Sequence, residues 1–274
     1  MEYARYLLHE AKAYQIPVSL KRIITHFGLR SSSASLPGPR ALTTPTLDIF
    51  VNADDRDSVQ RFSVAHELME LLFMALKGGG CPWMSQGTFA ELWRAKERVC
   101  DLGAAELLMP VDLFMPLVER EGISMATAER LAEQCKVSLT AALRRIVDTN
   151  LAGCAVIQWR FKHSKREFVP SAVGQLPLFG DPTSMDPPMK LRVERVYVSS
   201  SIRKSNVFIP REKSVEDTTL VFRAYVERVP TAGYDDLDLA KLRGRYYTEN
   251  RPVAIDGQRM VLSLVHLQEP PETS

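Results

Sequence analysis

The stretch "VAHELMELLF" (Val64–Phe73) lies within a run whose apolar residues recur at the spacing of an α-helix. This run comprises Phe62, Ala65, Leu68, Met69, Leu72, Phe73 and Leu76. The pattern predicts one long helix that buries a broad apolar stripe. Asp57 stands where the N-cap of this helix is expected, and Gln60, three residues later, has the spacing of a capping box. The glycines Gly78–Gly80 predict the end of the helix.

His66 and Glu70 stand one turn apart on this predicted helix, so their side chains project from the same face. Zinc peptidases carry HExxH at this spacing, whereas this chain has Glu70 in place of the second histidine and Glu67 as the candidate general base. A following helix supplies the third ligand in such enzymes, and Glu97 lies on the next predicted helix. This donor set predicts a zinc site with an open fourth position. Manganese or iron are alternatives because two carboxylates favour harder ions.

Other interpretations of these residues stay open. His66 can be a half-buried histidine with Glu67 and Glu70 on a solvated helix face, since HExxE alone is a weak signal. His9 or His26, in the opening helices, can replace the missing histidine ligand. A metal-free site would bring several carboxylates together and raise at least one carboxyl pKa, which costs stability. That cost favours a bound ion over a metal-free form.

The flanking sequence predicts the elements around this helix. Residues 2–14 and 19–30 have helical periodicity, and 31–46, rich in Ser, Pro and Gly, predicts a loop. A short strand is predicted at 47–51. A second long helix is predicted at 89–109, where the following proline stops it.

The second half of the chain predicts short helices followed by β-strands. Residues 124–148 predict two short helices in a helix-turn-helix-like pattern, with Arg144 and Arg145 as candidates for DNA contact. From Leu151 onward the sequence is β-rich, and strands are predicted at 154–161, 190–200, 219–229 and 260–268.

These elements predict an α+β protein. A mainly helical domain with a small sheet is expected at residues 1–120, and the helix-turn-helix-like segment at 121–150. A β-rich domain is expected at 151–274.

Composition narrows the class of protein further. The chain has 274 residues, 45% hydrophobic and 25% charged, as in ordinary globular proteins. The formal net charge of +2 neither predicts nor excludes a nucleic-acid partner. The 4 cysteines form no CxxC pair, which excludes a finger-like metal site and suits a reducing cytosol. No signal-peptide core and no membrane-length apolar run are present, so a cytoplasmic protein without a membrane partner is expected.

The segments "QRFSVAHELMELLF" (60–73) and "ERVCDLGAAELLMP" (97–110) resemble the ImmA/IrrE family of metallopeptidases, which are bacterial and phage regulators related to the zincins. The family pattern is RFT-AHE-GH-L followed by E--AN-FAAELLMP, and ELLMP at this distance is its specific part. The likeness covers about residues 1–150. Matching positions are Arg61, Phe62, Ala65, His66, Glu67, Leu71, Leu72, Glu97, Cys100, Asp101, Ala104, Ala105, Leu107, Leu108, Met109 and Pro110.

The resemblance implies roles for individual residues. His66 and Glu97 match metal ligands, and Glu67 matches the general acid/base. Asp101 falls where the family has Asn or Asp one turn after that Glu, and it is implied as a partner that supports the ligands.

The chain departs from the family at the site itself. Glu70 replaces the second histidine ligand, and Met69 replaces a glycine. An anionic ligand lowers the net charge of the metal site by one unit, so water bound there would be less acidic and a weaker nucleophile at neutral pH.

The resemblance implies a cytoplasmic, metal-dependent endopeptidase that makes a limited cut in a helix-turn-helix repressor and so relieves transcriptional repression. Longer radiation-response members carry a GAF-like C-terminal domain, so residues 151–274 are expected to sense a stress signal or bind a partner. The alternative hypothesis is a catalytically inactive regulator that keeps the scaffold to bind a partner protein. A third hypothesis is a direct DNA-binding regulator that uses residues 124–148.

Overall fold

A computed structural model describes residues 2–77, 88–164, 189–204 and 208–267. The chain divides into two compact units, Met1–Arg145 and Ile146–Ser274. The first unit is mainly helical with a small sheet, and the second is built on a larger sheet. The predicted α+β class is therefore confirmed.

The first unit contains most of the helices that the structure describes. The two longest, α3 and α4, coincide with the two long helices that the sequence predicts. The bounds are α1 (Glu2–Glu10), α2 (Leu20–His26), α3 (Asp57–Lys77), α4 (Phe89–Leu108), α5 (Val111–Glu121), α6 (Met125–Cys135) and α7 (Leu139–Thr149), the last of which crosses the unit boundary.

Side-chain caps explain where several of these helices begin. Ser19 accepts a hydrogen bond from the backbone N–H of Arg22 at the start of α2. Thr88 and Glu91 form a reciprocal capping box at the start of α4. Each cap satisfies backbone donors that the first turn of a helix leaves without partners.

A small sheet precedes α3, with strands β1 (Arg30–Ala34), β2 (Ala41–Thr43) and β3 (Asp48–Asn52). Strand β3 is central, parallel to β1 and antiparallel to β2. The prediction of a loop at 31–46 is therefore wrong in part. Pairing with β3 supplies the backbone hydrogen bonds of these short strands, and this tertiary effect overrides their Ser- and Pro-rich composition.

Helix α3 is the centre of the first unit. It packs against α4 and against strands β2 and β3, while α1 also packs against α4. The apolar stripe of α3 is buried at Ala65, Leu68 and Phe73. Burial of this stripe fixes the orientation of the polar side chains on the same helix.

Helices α6 and α7 form the predicted helix pair, with Lys136 in the left-handed conformation (φ 54°) after α6. Arg145 of α7 is buried, donates to the carbonyl of Met109 at 2.9 Å and pairs with the buried carboxylate of Glu106. Arg145 is therefore not available for DNA contact, which corrects its assignment as a candidate.

The second unit is built on a five-stranded antiparallel sheet in the order β5-β4-β8-β7-β6. The central strands β4 and β8 are almost continuously buried, with Trp159 fully buried on β4. The bounds are β4 (Cys154–Lys162), β5 (Lys190–Val198), β6 (Thr231–Leu239), β7 (Leu242–Ile255) and β8 (Gln258–His266).

Two helices, α8 (Ser200–Lys204) and α9 (Leu220–Glu227), accompany this sheet. The prediction of a strand at 219–229 is wrong, because this stretch forms α9. Thr219 caps the helix by accepting from the backbone N–H of Phe222, and Val221 and Ala224 are buried one turn apart. Among the described residues, no helix is long and apolar enough to cross a membrane.

Replacement of Arg145 by methionine is expected to destabilise the first unit by about 3 kcal/mol, because it leaves the buried Glu106 carboxylate without its main partner. Urea unfolding of the full chain measures this change. Arg120→Met is the matched control: Arg120 is exposed and pairs with Glu121 at the surface, so its loss should cost less than about 1 kcal/mol. Equal, small effects of both substitutions would contradict the structural role of the buried pair.

Candidate metal centre

Helices α3 and α4 bring three candidate ligands to one point. His66 and Glu70 project from α3 one turn apart, and Glu97 projects from α4. One ligand atom from each lies within 4.8 Å of the others. His66 Nε2 lies 3.9 Å from Glu70 Oε2 and 3.5 Å from Glu97 Oε2. The residues predicted from the sequence pattern thus converge in the folded chain.

These distances fit a divalent ion. Two ligands at zinc-bonding distance in tetrahedral geometry are about 3.4 Å apart, close to the separations of His66 from the two carboxylates. One imidazole nitrogen and two carboxylate oxygens form an accepted donor set for zinc, manganese or iron. The three side chains could therefore hold such an ion.

Asp101 orients the imidazole of His66. Its Oδ1 lies 3.0 Å from His66 Nδ1, so the other ring nitrogen, Nε2, faces Glu70 and Glu97. The hydrogen bond to Asp101 raises the pKa of His66, and burial of the ring opposes this effect only in part. Carboxylate–histidine pairs of this kind fix the orientation of ligating histidines in metal sites.

Glu67 lies beside the cluster and is almost fully buried. Its Oε2 accepts a hydrogen bond of 2.5 Å from Thr43 Oγ1 on strand β2. This bond anchors one carboxylate oxygen and connects the helix to the small sheet. The sequence pattern does not point to Thr43, because this residue belongs to the stretch that is predicted as a loop.

Lys96 is a second residue of the cluster that the sequence pattern does not identify. Its Nζ lies 2.6 Å from Glu70 Oε1 and 3.2 Å from Glu97 Oε1, and 3.9 Å from the centre of the Trp93 ring. Burial alone would lower the pKa of Lys96, but the hydrogen bonds and charges of the two glutamates outweigh it and raise the pKa. The pairing with Glu70 depends on how two helices cross, which no local pattern encodes.

The opening histidines do not reach this point. His9 stacks on the ring of Tyr14 at 5.0 Å, and His26 packs edge-on against Phe27 at 4.9 Å. Within the described ranges the His66–Glu70–Glu97 group is the cluster that could hold an ion, and neither histidine belongs to it. The alternative in which His9 or His26 replaces the missing ligand therefore finds no support in the fold.

Met69 and Gly103 pack closely where α3 meets α4. A Cβ at position 103 would lie 2.5 Å from Met69 Cε and 2.9 Å from its Cγ. The absence of a side chain at Gly103 thus makes room for Met69, the residue immediately before Glu70. This contact helps to set the approach of the two helices that carry the ligands.

Comparisons with known proteins found similar sequences and a similar fold. Residues 26–147 match the family model described as the IrrE N-terminal-like domain of peptidase family M78. The radiation response metalloprotease IrrE of Deinococcus deserti is 31% identical over 100 residues, which is 36% of this chain and 36% of that protein. A transcriptional regulator of Mycobacterium tuberculosis has a similar fold, with a TM-score of 0.62 and 12% identity over 97% of this chain and 74% of that one.

The matched region has the helices and candidate ligands of a metallopeptidase-like domain. Residues 26–147 are therefore similar to the N-terminal domain of ImmA/IrrE-family metallopeptidases, as the two motifs predict. The chain spans about a third of the length of this curated relative.

Gly103→Ala is expected to cost about 1–3 kcal/mol, because the new methyl group overpacks against Met69. Adding Met69→Ala should relieve this strain, so the double variant will be more stable than the sum of the single changes predicts, by about 1 kcal/mol or more. Urea unfolding of the full chain and the three variants completes the cycle. Leu102→Ala, at an exposed neighbour, is the control. Strictly additive effects would contradict the close contact.

Proposed function

We propose that the first unit is a metal-dependent regulatory endopeptidase that makes a limited cut in a transcriptional repressor and so relieves repression. The observation that supports this proposal is the convergence of His66, Glu70 and Glu97 on one point beside the buried Glu67. A metal-binding set next to a carboxylate that can accept a proton is the arrangement required for metal-assisted hydrolysis of a peptide bond.

In this proposal each side chain has a separate task. His66, Glu70 and Glu97 hold the ion, which when bound supplies Lewis acidity to the scissile peptide. Glu67 takes the proton of the attacking water and returns it to the leaving amine. Because Thr43 anchors Glu67 Oε2, the other oxygen, Oε1, is the one assigned to this proton transfer.

Strand β2 offers a surface for the substrate backbone. Among the described strands, β2 lies at an edge of its sheet, and Thr43 on this strand bonds Glu67. An extended peptide that pairs with such an edge gains backbone hydrogen bonds. A substrate paired with β2 would pass beside Glu67, which supports cleavage of an extended segment of the target protein.

The choice of a repressor as substrate rests on the relatives. One similar protein is named a radiation response metalloprotease and another a transcriptional regulator. We assign to the second unit, Ile146–Ser274, the role of sensing a stress signal or binding a partner. The buried free thiols of Cys100, Cys135 and Cys154 support action in a reducing cytoplasm.

Glu67→Gln is expected to reduce cleavage at least about a hundredfold, because the amide cannot accept the proton, while the metal content stays unchanged. Glu97→Ala should instead remove most of the bound metal. The assay combines elemental analysis after reconstitution with zinc or manganese and cleavage of a purified helix-turn-helix repressor.

Glu119→Gln, at an exposed position on α5, is the matched control for replacing a glutamate by glutamine. It should leave the metal content and the cleavage activity unchanged. Full cleavage activity of Glu67→Gln would contradict the proposed catalytic role.

A second candidate function is a non-catalytic regulator that keeps the peptidase scaffold to bind a partner protein. The observation that favours it is the ammonium of Lys96, which bonds both carboxylates of the cluster. An internal cation of this kind lets the cluster persist without an ion. In this case the partner would bind the scaffold and no peptide bond would be cut.

Glu70→His separates the two candidates. It restores a neutral ligand and is expected to raise zinc affinity. Two imidazoles and one carboxylate suit zinc better than one imidazole and two carboxylates. Titration with zinc measures the affinity, and the repressor assay measures cleavage. Cleavage by the natural protein supports the peptidase, whereas cleavage that appears only in the variant identifies the natural protein as a pseudoenzyme.

A further inference from the structure

Lys96 and His66 share the two carboxylates of the candidate centre. Glu70 and Glu97 each direct Oε2 toward His66 Nε2, at 3.9 Å and 3.5 Å. Each directs its other oxygen, Oε1, toward Lys96 Nζ, at 2.6 Å and 3.2 Å. Each carboxylate therefore bridges the imidazole and the ammonium, and the ammonium acts on the same groups that would bind an ion.

The position of the Lys96 ammonium is closely specified. The side chain is only 11% exposed. Besides the two carboxylates, Nζ contacts the face of the Trp93 ring at 3.9 Å. A buried charge is costly unless it is paired, so these three partners hold Lys96 at the cluster rather than in solvent.

We propose that Lys96 is a built-in counter-ion of the centre, which holds Glu70 and Glu97 together without a metal ion and weakens the binding of a divalent cation. An incoming cation has to compete with the ammonium for the same carboxylates, and two positive charges at this distance repel each other. The inference rests on the proposed function only in taking His66, Glu70 and Glu97 as the ligands of the ion.

This arrangement raises the free concentration of ion that is needed to fill the site. With Lys96 in place, the protein keeps its fold in metal-poor conditions and fills the site only when the free concentration of the ion is high enough. Without Lys96, the like charges of Glu70 and Glu97 lose a partner, and the fold comes to depend on the ion. The residue thus sets the threshold at which the centre is loaded.

The test compares Lys96→Met with the natural chain in two measurements. Isothermal titration with Zn²⁺ and with Mn²⁺ is expected to show binding at least about tenfold tighter in the variant, because the competing charge is gone. In chelator, the melting temperature of the variant is expected to fall by about 5 °C or more, and added Zn²⁺ should restore it.

Lys96→Arg keeps the positive charge and should bind these ions about as weakly as the natural chain. Lys21→Met, at an exposed position on α2, controls for loss of a lysine elsewhere and should change neither measurement. Unchanged or weaker ion binding by Lys96→Met would overturn the inference, as would a variant that fails to fold even with Zn²⁺.

These results are independent of peptidase activity. Tighter ion binding by Lys96→Met without repressor cleavage by any variant supports the counter-ion and contradicts only the proposed function. If the natural chain cleaves the repressor and the natural chain and Lys96→Met bind ions equally well, the proposed function is supported and the counter-ion role of Lys96 is contradicted.

Discussion

The close packing of α3 against α4 positions every candidate ligand in this protein. Met69 on α3 occupies the space that a side chain at position 103 of α4 would need. At this approach, His66 and Glu70 from one helix meet Glu97 from the other within 4.8 Å. Since each helix is oriented by its buried apolar side chains, the hydrophobic pattern of the sequence determines the geometry of a polar site.

Charge balance is the second constraint on this arrangement. Glu70, Glu97 and Asp101 converge on one imidazole, and like charges at such distances are costly without a cation. Lys96 supplies one positive charge, and the hydrogen bond to Asp101 raises the pKa of His66. This arrangement is therefore compatible with both proposed functions, the metal-dependent peptidase and the non-catalytic regulator.

The sequence predicted much of the site but not its surroundings. The spacing of His66 and Glu70, and the resemblance that implied Glu97 and Asp101, identified four residues that the structure brings together. Lys96 was missed because its pairing depends on tertiary packing and not on a local pattern.

The errors in the fold have the same cause. The sequence does not predict strand β2, because this strand depends on pairing with β3. The stretch 219–229 has a β-rich composition, but the Thr219 cap and one buried face make it a helix. Strand β6, with the sequence "TAGYDDLDL", was missed because its aspartates obscure the alternation of buried residues.

Anomalous diffraction from crystals grown with Mn²⁺ or Zn²⁺ would locate a bound ion relative to the side chains of His66, Glu70 and Glu97. We expect one peak at about 2.0–2.3 Å from His66 Nε2 and from one carboxylate oxygen each of Glu70 and Glu97. A peak at other residues, or no peak at these three side chains at saturating ion concentration, would contradict the claim that α3 and α4 build a metal centre.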